Sequence, residues 1–242
     1  MYNYKMELEY DGRAFSGWQK QLNEPTVQLE LERALMILLK EPITVIAAGR
    51  TDAGVHALGQ IVGFKSAQPV DTSRICYQLN GILSREIAVH WVEEADPSFN
   101  ARFSARSRSY EYRIFPGKTA MYHGFCWELR ITDDFLSINE PLQALKGMHD
   151  FTSFCAAGSR SPHHRCDVES LQWCKEDPFY RFRIKANRFI YNMVRIIVGS
   201  SVDIYQGRFS PDSWDNWLYA RDRRATGRTA PPQGLFFMRV DY

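Results

Sequence analysis

Asp52 is the carboxylate whose neighbours suggest chemistry. It lies in Ala47-Ala48-Gly49-Arg50-Thr51-Asp52-Ala53-Gly54-Val55-His56, between an arginine and a glycine and just after an apolar run. An ionised aspartate in such a place can act as a nucleophile and hold a covalent intermediate. A guanidinium close by favours the anion. The same residues also allow a plainer reading, because Asp beside Gly is ordinary turn chemistry and an exposed arginine contributes little. The elements on either side decide how the aspartate is held. Ile43-Thr44-Val45-Ile46 is β-branched and predicts a short buried strand, and Leu58 to Phe64, with Ile61, Val62 and Phe64, predicts a second. Gly49 and Gly54 between them permit backbone angles that a side chain forbids. Asp52 is therefore expected on a sharp connection anchored in a sheet at both ends, where reactive groups are often displayed.

Composition removes several classes of function. The five cysteines, Cys76, Cys126, Cys155, Cys166 and Cys174, are odd in number and include no Cys-x-x-Cys pair, so reduced thiols are expected. His163-His164-Arg165-Cys166 has no second ligand pair at zinc spacing, and no metal is expected. Glycine patterns for dinucleotides or nucleoside triphosphates are missing, so no cofactor is expected either. No apolar run approaches the roughly 18 residues of a membrane span. The first residues, Met1-Tyr2-Asn3-Tyr4-Lys5-Met6-Glu7, already alternate like a strand and do not resemble a signal peptide, which points to a cytoplasmic protein.

Charge is unevenly placed. Residues 1–98 carry 9 Lys and Arg against 13 Asp and Glu, and residues 99–242 carry 21 against 15. Arg181, Arg183, Lys185, Arg188 and Arg195 form a run without an acid, Arg221, Arg223, Arg224 and Arg228 oppose only Asp222, and Arg102, Arg106, Arg108 and Arg113 oppose only Glu111. Each run could be a solvated face. Three of them together suit a polyanion whose phosphates need neutralising.

Period-two apolar residues Tyr4, Met6, Leu8 and Tyr10 predict a strand over residues 2–10. Thr26 can cap a helix with Val27, Leu31, Leu35 and Leu38 on one side, ending before Pro42. A helix near 73–83 and a strand at 87–93, with Ile87, Val89 and Trp91, complete the first half. The second half predicts strands at 108–115, 168–174 and 179–186, then a long helix from about 189 to 205. A helix capped by Ser210, with Trp214, Trp217 and Leu218 inward, precedes a last strand from Leu235 to Val240. Both halves read as α+β. The division is placed at 1–104 and 105–242, where the charge turns from acidic to basic.

Gly49-Arg50-Thr51-Asp52-Ala53-Gly54-Val55-His56-Ala57 resembles the catalytic signature of the tRNA pseudouridine synthase A family. Further blocks match in order along nearly the whole chain. Tyr10-Asp11-Gly12 with Phe15-Ser16-Gly17-Trp18-Gln19 is similar to the opening segment. Phe99-Asn100-Ala101-Arg102-Phe103-Ser104-Ala105, Tyr110-Glu111-Tyr112-Arg113-Ile114 and Gly147-Met148-His149-Asp150-Phe151 are similar to the middle ones. Ala186-Asn187, Phe189, Met193-Val194-Arg195, Ile197-Val198-Gly199, and Thr229-Ala230-Pro231 to Gly234-Leu235 are similar to the late ones. Arg188 and Tyr205 depart from the pattern, standing where a small residue and a glycine are usual.

The resemblance implies a pseudouridine synthase fold: two similar α+β halves around a continuous, largely antiparallel sheet with a central catalytic cleft. It implies an isomerase acting on tRNA, converting uridine to pseudouridine at positions 38, 39 and 40 of the anticodon arm, and a homodimer. It gives Asp52 the nucleophile's role and Arg195 that of the basic partner keeping an acid ionised. Arg50 and Thr51 of the signature are expected to bind substrate, and Tyr110 to stack on the target uracil. A pseudouridine synthase for a different RNA site and a non-catalytic RNA-binding module on the same scaffold are the alternatives. A glycosidase would need a second carboxylate that these blocks lack.

Overall fold

The structure is a computed structural model describing residues 1–159 and 161–242. In chain order its regular elements are β1 (Tyr2–Tyr10), α1 (Val27–Leu39), β2 (Ile46–Ala47), β3 (His56–Ser66), α2 (Thr72–Ile82), β4 (Ile87–Glu94) and β5 (Ser107–Pro116). There follow β6 (Trp127–Leu129), α3 (Asn139–Leu142), β7 (Gly147–Asp150), β8 (Arg165–Glu176), β9 (Phe179–Ala186), α4 (Met193–Tyr205), α5 (Ser213–Ala220) and β10 (Leu235–Asp241). The protein is α+β; β1 with β3, β1 with β4, β2 with β3, β5 with β9, β7 with β8 and β8 with β9 pair antiparallel, and β10 with β3 and β5 with β6 pair parallel. The chain forms two compact units: Met1–Arg106 with Phe236–Tyr242, and Ser107–Leu235.

In the first unit, Tyr4, Met6, Leu8 and Tyr10 are all buried, as their spacing requires. β3 is the hub. One edge pairs with β1 along its length, from Ser66 opposite Tyr2 to Ala57 opposite Tyr10. Its other edge is shared: His56 and Ala57 pair with Phe236 and Phe237 of β10, and Val62 and Gly63 pair with Ala47 and Ile46 of β2. Thr26 caps α1, its hydroxyl accepting from the Leu29 amide at 3.3 Å. Two expectations need correction. Only Ile46–Ala47 of the apolar run at 43–46 is strand, and Ile46 is exposed while Ile43 and Val45 are buried outside any ladder. On β4 the inward residue after Val89 is Val92 rather than Trp91. Glu7 pairs with Trp91 and Leu8 with Val89, so His90 is an extra residue that reverses the alternation.

In the second unit the sheet order is β5-β9-β8-β7, with β6 against β5. Tyr110, Tyr112 and Ile114 face the core. α4 begins at Met193 and not near 189, because Asn192 takes a left-handed conformation (φ 61°) directly before it. Arg188 therefore does not lie at a helix N-terminus. Its Nη2 donates to Ser161 Oγ at 2.6 Å, and its Nη1 lies 2.8 Å from His163 Nε2. α5 begins at Ser213, with Asp212 and not Ser210 at its N-cap, and buries Trp214 and Trp217.

The acid-free basic run also looks different once its neighbours are in place. Glu111, 2% exposed, accepts from Arg113 Nε at 2.8 Å, Arg181 Nη1 at 2.6 Å and Arg183 Nε at 3.0 Å. Arg183 also makes a bidentate pair with Glu176, and Lys185 pairs with Glu169 at 2.8 Å. The run is continuous only along the chain. Across the sheet its cations alternate with carboxylates of adjacent strands.

Candidate active site

The Asp52 loop is built from below. β2 delivers the chain to Ala48, whose amide donates to the Ile61 carbonyl at 2.8 Å. The fully buried Gln60 then clamps Gly49, donating to its carbonyl at 2.8 Å and accepting from its amide at 3.4 Å. A Cβ on Gly49 would lie 2.6 Å from the Phe237 ring, so glycine is required for the loop to pass β10. Thr51 is buried. Its hydroxyl is 2.7 Å from the Tyr10 hydroxyl, and its carbonyl accepts from the Trp18 amide at 3.0 Å. Burial pushes the Tyr10 phenol up to about 12, against the opposing pull of hydrogen bonds to Thr51 and Gln60, so it remains protonated beneath the loop. The Asp52 carbonyl accepts from the Val55 amide at 3.1 Å, closing a turn with Gly54 at φ 76°, the angle that a type II turn demands at its third position. Between these fixed residues Arg50 is exposed and the Asp52 side chain half-buried.

The opening segment supports the same loop. Its glycines, quoted above only as part of a pattern, leave room for the loop backbone. A Cβ on Gly12 would meet the Val55 carbonyl oxygen at 2.1 Å, and one on Gly17, at φ 101°, would meet the Thr51 carbonyl oxygen at 2.9 Å and the Ala53 amide at 3.1 Å. Nearby, His56 is buried, accepts from the Gly12 amide at 3.2 Å and stacks on Phe236 at 4.7 Å. Gly17→Ala would have to displace the loop by a few tenths of an ångström and adopt a strained φ. It is expected to lower kcat roughly tenfold, since small displacements of a reacting group are costly. The melting temperature should fall by only a few degrees, and steady-state turnover beside thermal unfolding checks this.

The second unit carries the other two residues singled out from the sequence. Tyr110 on β5 is 8% exposed and meets the Phe189 ring edge-on at 4.8 Å. Arg195, half-buried in the first turn of α4, donates through Nε to the Ala230 carbonyl at 2.8 Å and through Nη1 to Asn192 Oδ1 at 2.9 Å. The Ala230 amide donates back to the Arg195 carbonyl at 2.9 Å. The late block acquires a physical purpose here. Ala230 holds the arginine, the Pro231 carbonyl accepts from the buried Tyr112 hydroxyl at 2.8 Å, and Gly234 clears the Tyr112 ring, which a Cβ would approach to 2.6 Å. Gly199 lets this segment lie on α4, since a Cβ there would meet the Arg228 carbonyl oxygen at 2.0 Å. The segment is pinned by buried Asp203, which accepts from the Arg228 amide at 2.8 Å and Arg228 Nε at 2.7 Å.

Asp203, Gln60 and Asn192 were not singled out from the sequence. A buried aspartate or glutamine has no periodic signature, and each is recognisable only by what it touches. Among the described residues no group of three or more His, Cys, Asp or Glu is placed to hold a metal, and no helix is long and apolar enough to cross a membrane. The five cysteines are free thiols, with Cys126 raised by burial to about 11 and Cys166 to about 12.

The chain matches a family profile and full-length relatives. The profile of the tRNA pseudouridine synthase family matches residues 8–104 and 142–242. The chain is 40% identical to tRNA pseudouridine synthase A of Bacillus subtilis over 247 aligned positions, covering 98% of each protein. It is 40% identical to the protein of that name from Moorella thermoacetica, over 98% of each chain, and 36% identical to that of a Thermoanaerobacter species over the full length of both. By profile and by full-length similarity, this chain belongs to the tRNA pseudouridine synthase family.

Proposed function

We propose that the chain converts uridine to pseudouridine in the anticodon arm of tRNA, at positions 38, 39 and 40, with Asp52 as the nucleophile. The carrying observation is a half-buried carboxylate on a loop fixed by Gln60, Tyr10, Trp18 and the glycines of the opening segment. A covalent catalyst must be held in a reactive pose before substrate arrives, and the anchored backbone of this loop supports that role for Asp52. The isomerisation breaks the bond from C1′ to N1, turns the uracil and joins C5 to C1′. The proton on C5 leaves and one is gained at N1, so composition and oxidation state are unchanged and no redox cofactor is consumed. Asp52 assists departure of the base and holds the intermediate. Arg195, oriented by Ala230 and Asn192, supplies the positive charge that keeps a carboxylate ionised away from water. Tyr110, buttressed by Phe189, offers the flat surface on which an unstacked uracil rests. Arg50 contacts the RNA, and Thr51 holds that contact and the nucleophile in register through Tyr10. The protein works in the cytoplasm as a homodimer.

The test is incubation of the EDTA-treated protein with an unmodified tRNA transcript, followed by carbodiimide treatment and reverse transcription. Arrests at 38, 39 and 40 of the anticodon arm are the expected result. Arrests confined to another region of the RNA would replace the proposed site, and their complete absence would overturn the activity.

A further inference from the structure

A cavity of about 240 Å³ opens beside the Asp52 loop within the first unit. Its floor includes Trp18, Val45 and Ala47, which are buried. Its rim carries Arg50, Arg102 and Phe103, and no lining residue is acidic. The rim is rigid. Asn100 Oδ1 accepts from the Arg102 amide at 3.0 Å and the Phe103 amide at 3.1 Å, while Asn100 and Ser104 exchange hydrogen bonds at 2.9 and 3.0 Å. Ala101 is fully buried and anchors the turn from beneath. This turn holds the Phe103 ring out to solvent, 78% exposed, with the Arg102 guanidinium 5.4 Å from its centre. An ordered aromatic face paired with a cation, beside a hollow of mixed lining that includes Gln19 and Gln28 and is rimmed by a second cation, combines the elements that grip an unstacked base and its phosphate. The volume suits one base-sized group and is small for a larger ligand.

We infer that this cavity is a subsite for one unpaired nucleotide of the RNA substrate other than the isomerised uridine, its base against Phe103 and its phosphate on Arg102 and Arg50. The inference rests on the proposed RNA activity and adds to it a second point of grip. Arg50 belongs to both places, lying two residues from Asp52. A nucleotide seated here would fix the reach of the strand toward the nucleophile. Selection among neighbouring uridines would then depend partly on the 100–104 turn.

The experiment compares wild type, Phe103→Ala and Phe103→Tyr on an unmodified tRNA transcript, by filter binding and by pseudouridine mapping. Wild-type mapping reports the activity itself, so its failure is separable from failure of the subsite. Phe103 is exposed, and its replacement leaves the core intact. Loss of one base–aromatic stack should weaken binding roughly five- to tenfold in Phe103→Ala, with tyrosine restoring it to within about twofold. In a parallel arm the anticodon arm carries 4-thiouridine at single unpaired positions, and crosslinked peptides are sequenced. A crosslink to residues 100–104 in wild type that is lost in Phe103→Ala supports the subsite. Unchanged affinity in Phe103→Ala, no rescue by tyrosine, or crosslinks confined to other peptides would each overturn it.

Discussion

Asp52→Asn should lose more than about 10³-fold in the single-turnover rate of pseudouridine formation while retaining tRNA affinity. The amide is isosteric with the carboxylate but is neither a nucleophile nor an anion. The loop should keep its shape, because main-chain atoms of residues 48, 49, 51 and 52 and the Thr51 hydroxyl tie it to Ile61, Gln60, Trp18, Val55 and Tyr10. Binding should therefore survive the loss of chemistry. Quenched-flow mapping of pseudouridine at saturating enzyme, beside filter binding, separates the two. A rate within tenfold of wild type would remove Asp52 from the nucleophile's role.

The largest structural effect should come from Glu111→Gln. Burial alone would raise the Glu111 carboxyl. Hydrogen bonds from Arg113 and Arg183 and the charge of Arg181 outweigh burial and hold it below the usual carboxylate range. Removing the charge leaves three guanidinium groups around one neutral amide. The cost should be about 3 kcal/mol, at the low end for a broken buried pair because Arg183 is half exposed and can turn to water. For a protein of this size that lowers the melting temperature by roughly 6–12 °C. The pH dependence has a definite sign. A group whose folded pKa is depressed stabilises fully above its unfolded value, roughly 4.3, and that stabilisation is lost as pH falls through the depressed folded value. The gap between wild type and variant should be constant from pH 7 to 5 and close below about 4. Calorimetry across that range checks it, and a gap that widens with acid would show that Glu111 is not the ionised centre of the cluster.

Local pattern was sufficient for most elements and for the loop that carries Asp52. The alternation of Tyr4, Met6, Leu8 and Tyr10, the Thr26 cap and the two inward tryptophans of α5 are short-range facts, readable because one buried face imposes a period on the residues. The block around Asp52 was likewise legible as a turn between strands and as a family signature. What local pattern could not supply was anything set by a partner distant in the chain. The 43–46 run resembles a strand, but only Ile46–Ala47 pairs with β3, at Gly63 and Val62, and Ile43 and Val45 are buried outside the ladder. The run from Arg181 to Arg195 is free of acids along the chain, yet Glu111, Glu169 and Glu176 lie beside its Arg181, Arg183 and Lys185 across the sheet. A helix beginning near residue 189 would put Arg188 at its start, but α4 begins four positions later, at Met193, directly after the left-handed Asn192. Residue types and spacing thus identified which groups could do chemistry. Only the tertiary structure decided which charges are already matched and which side chains hold the reactive ones still, because hydrogen bonds and ion pairs form between residues that are close in space, whatever their separation along the chain.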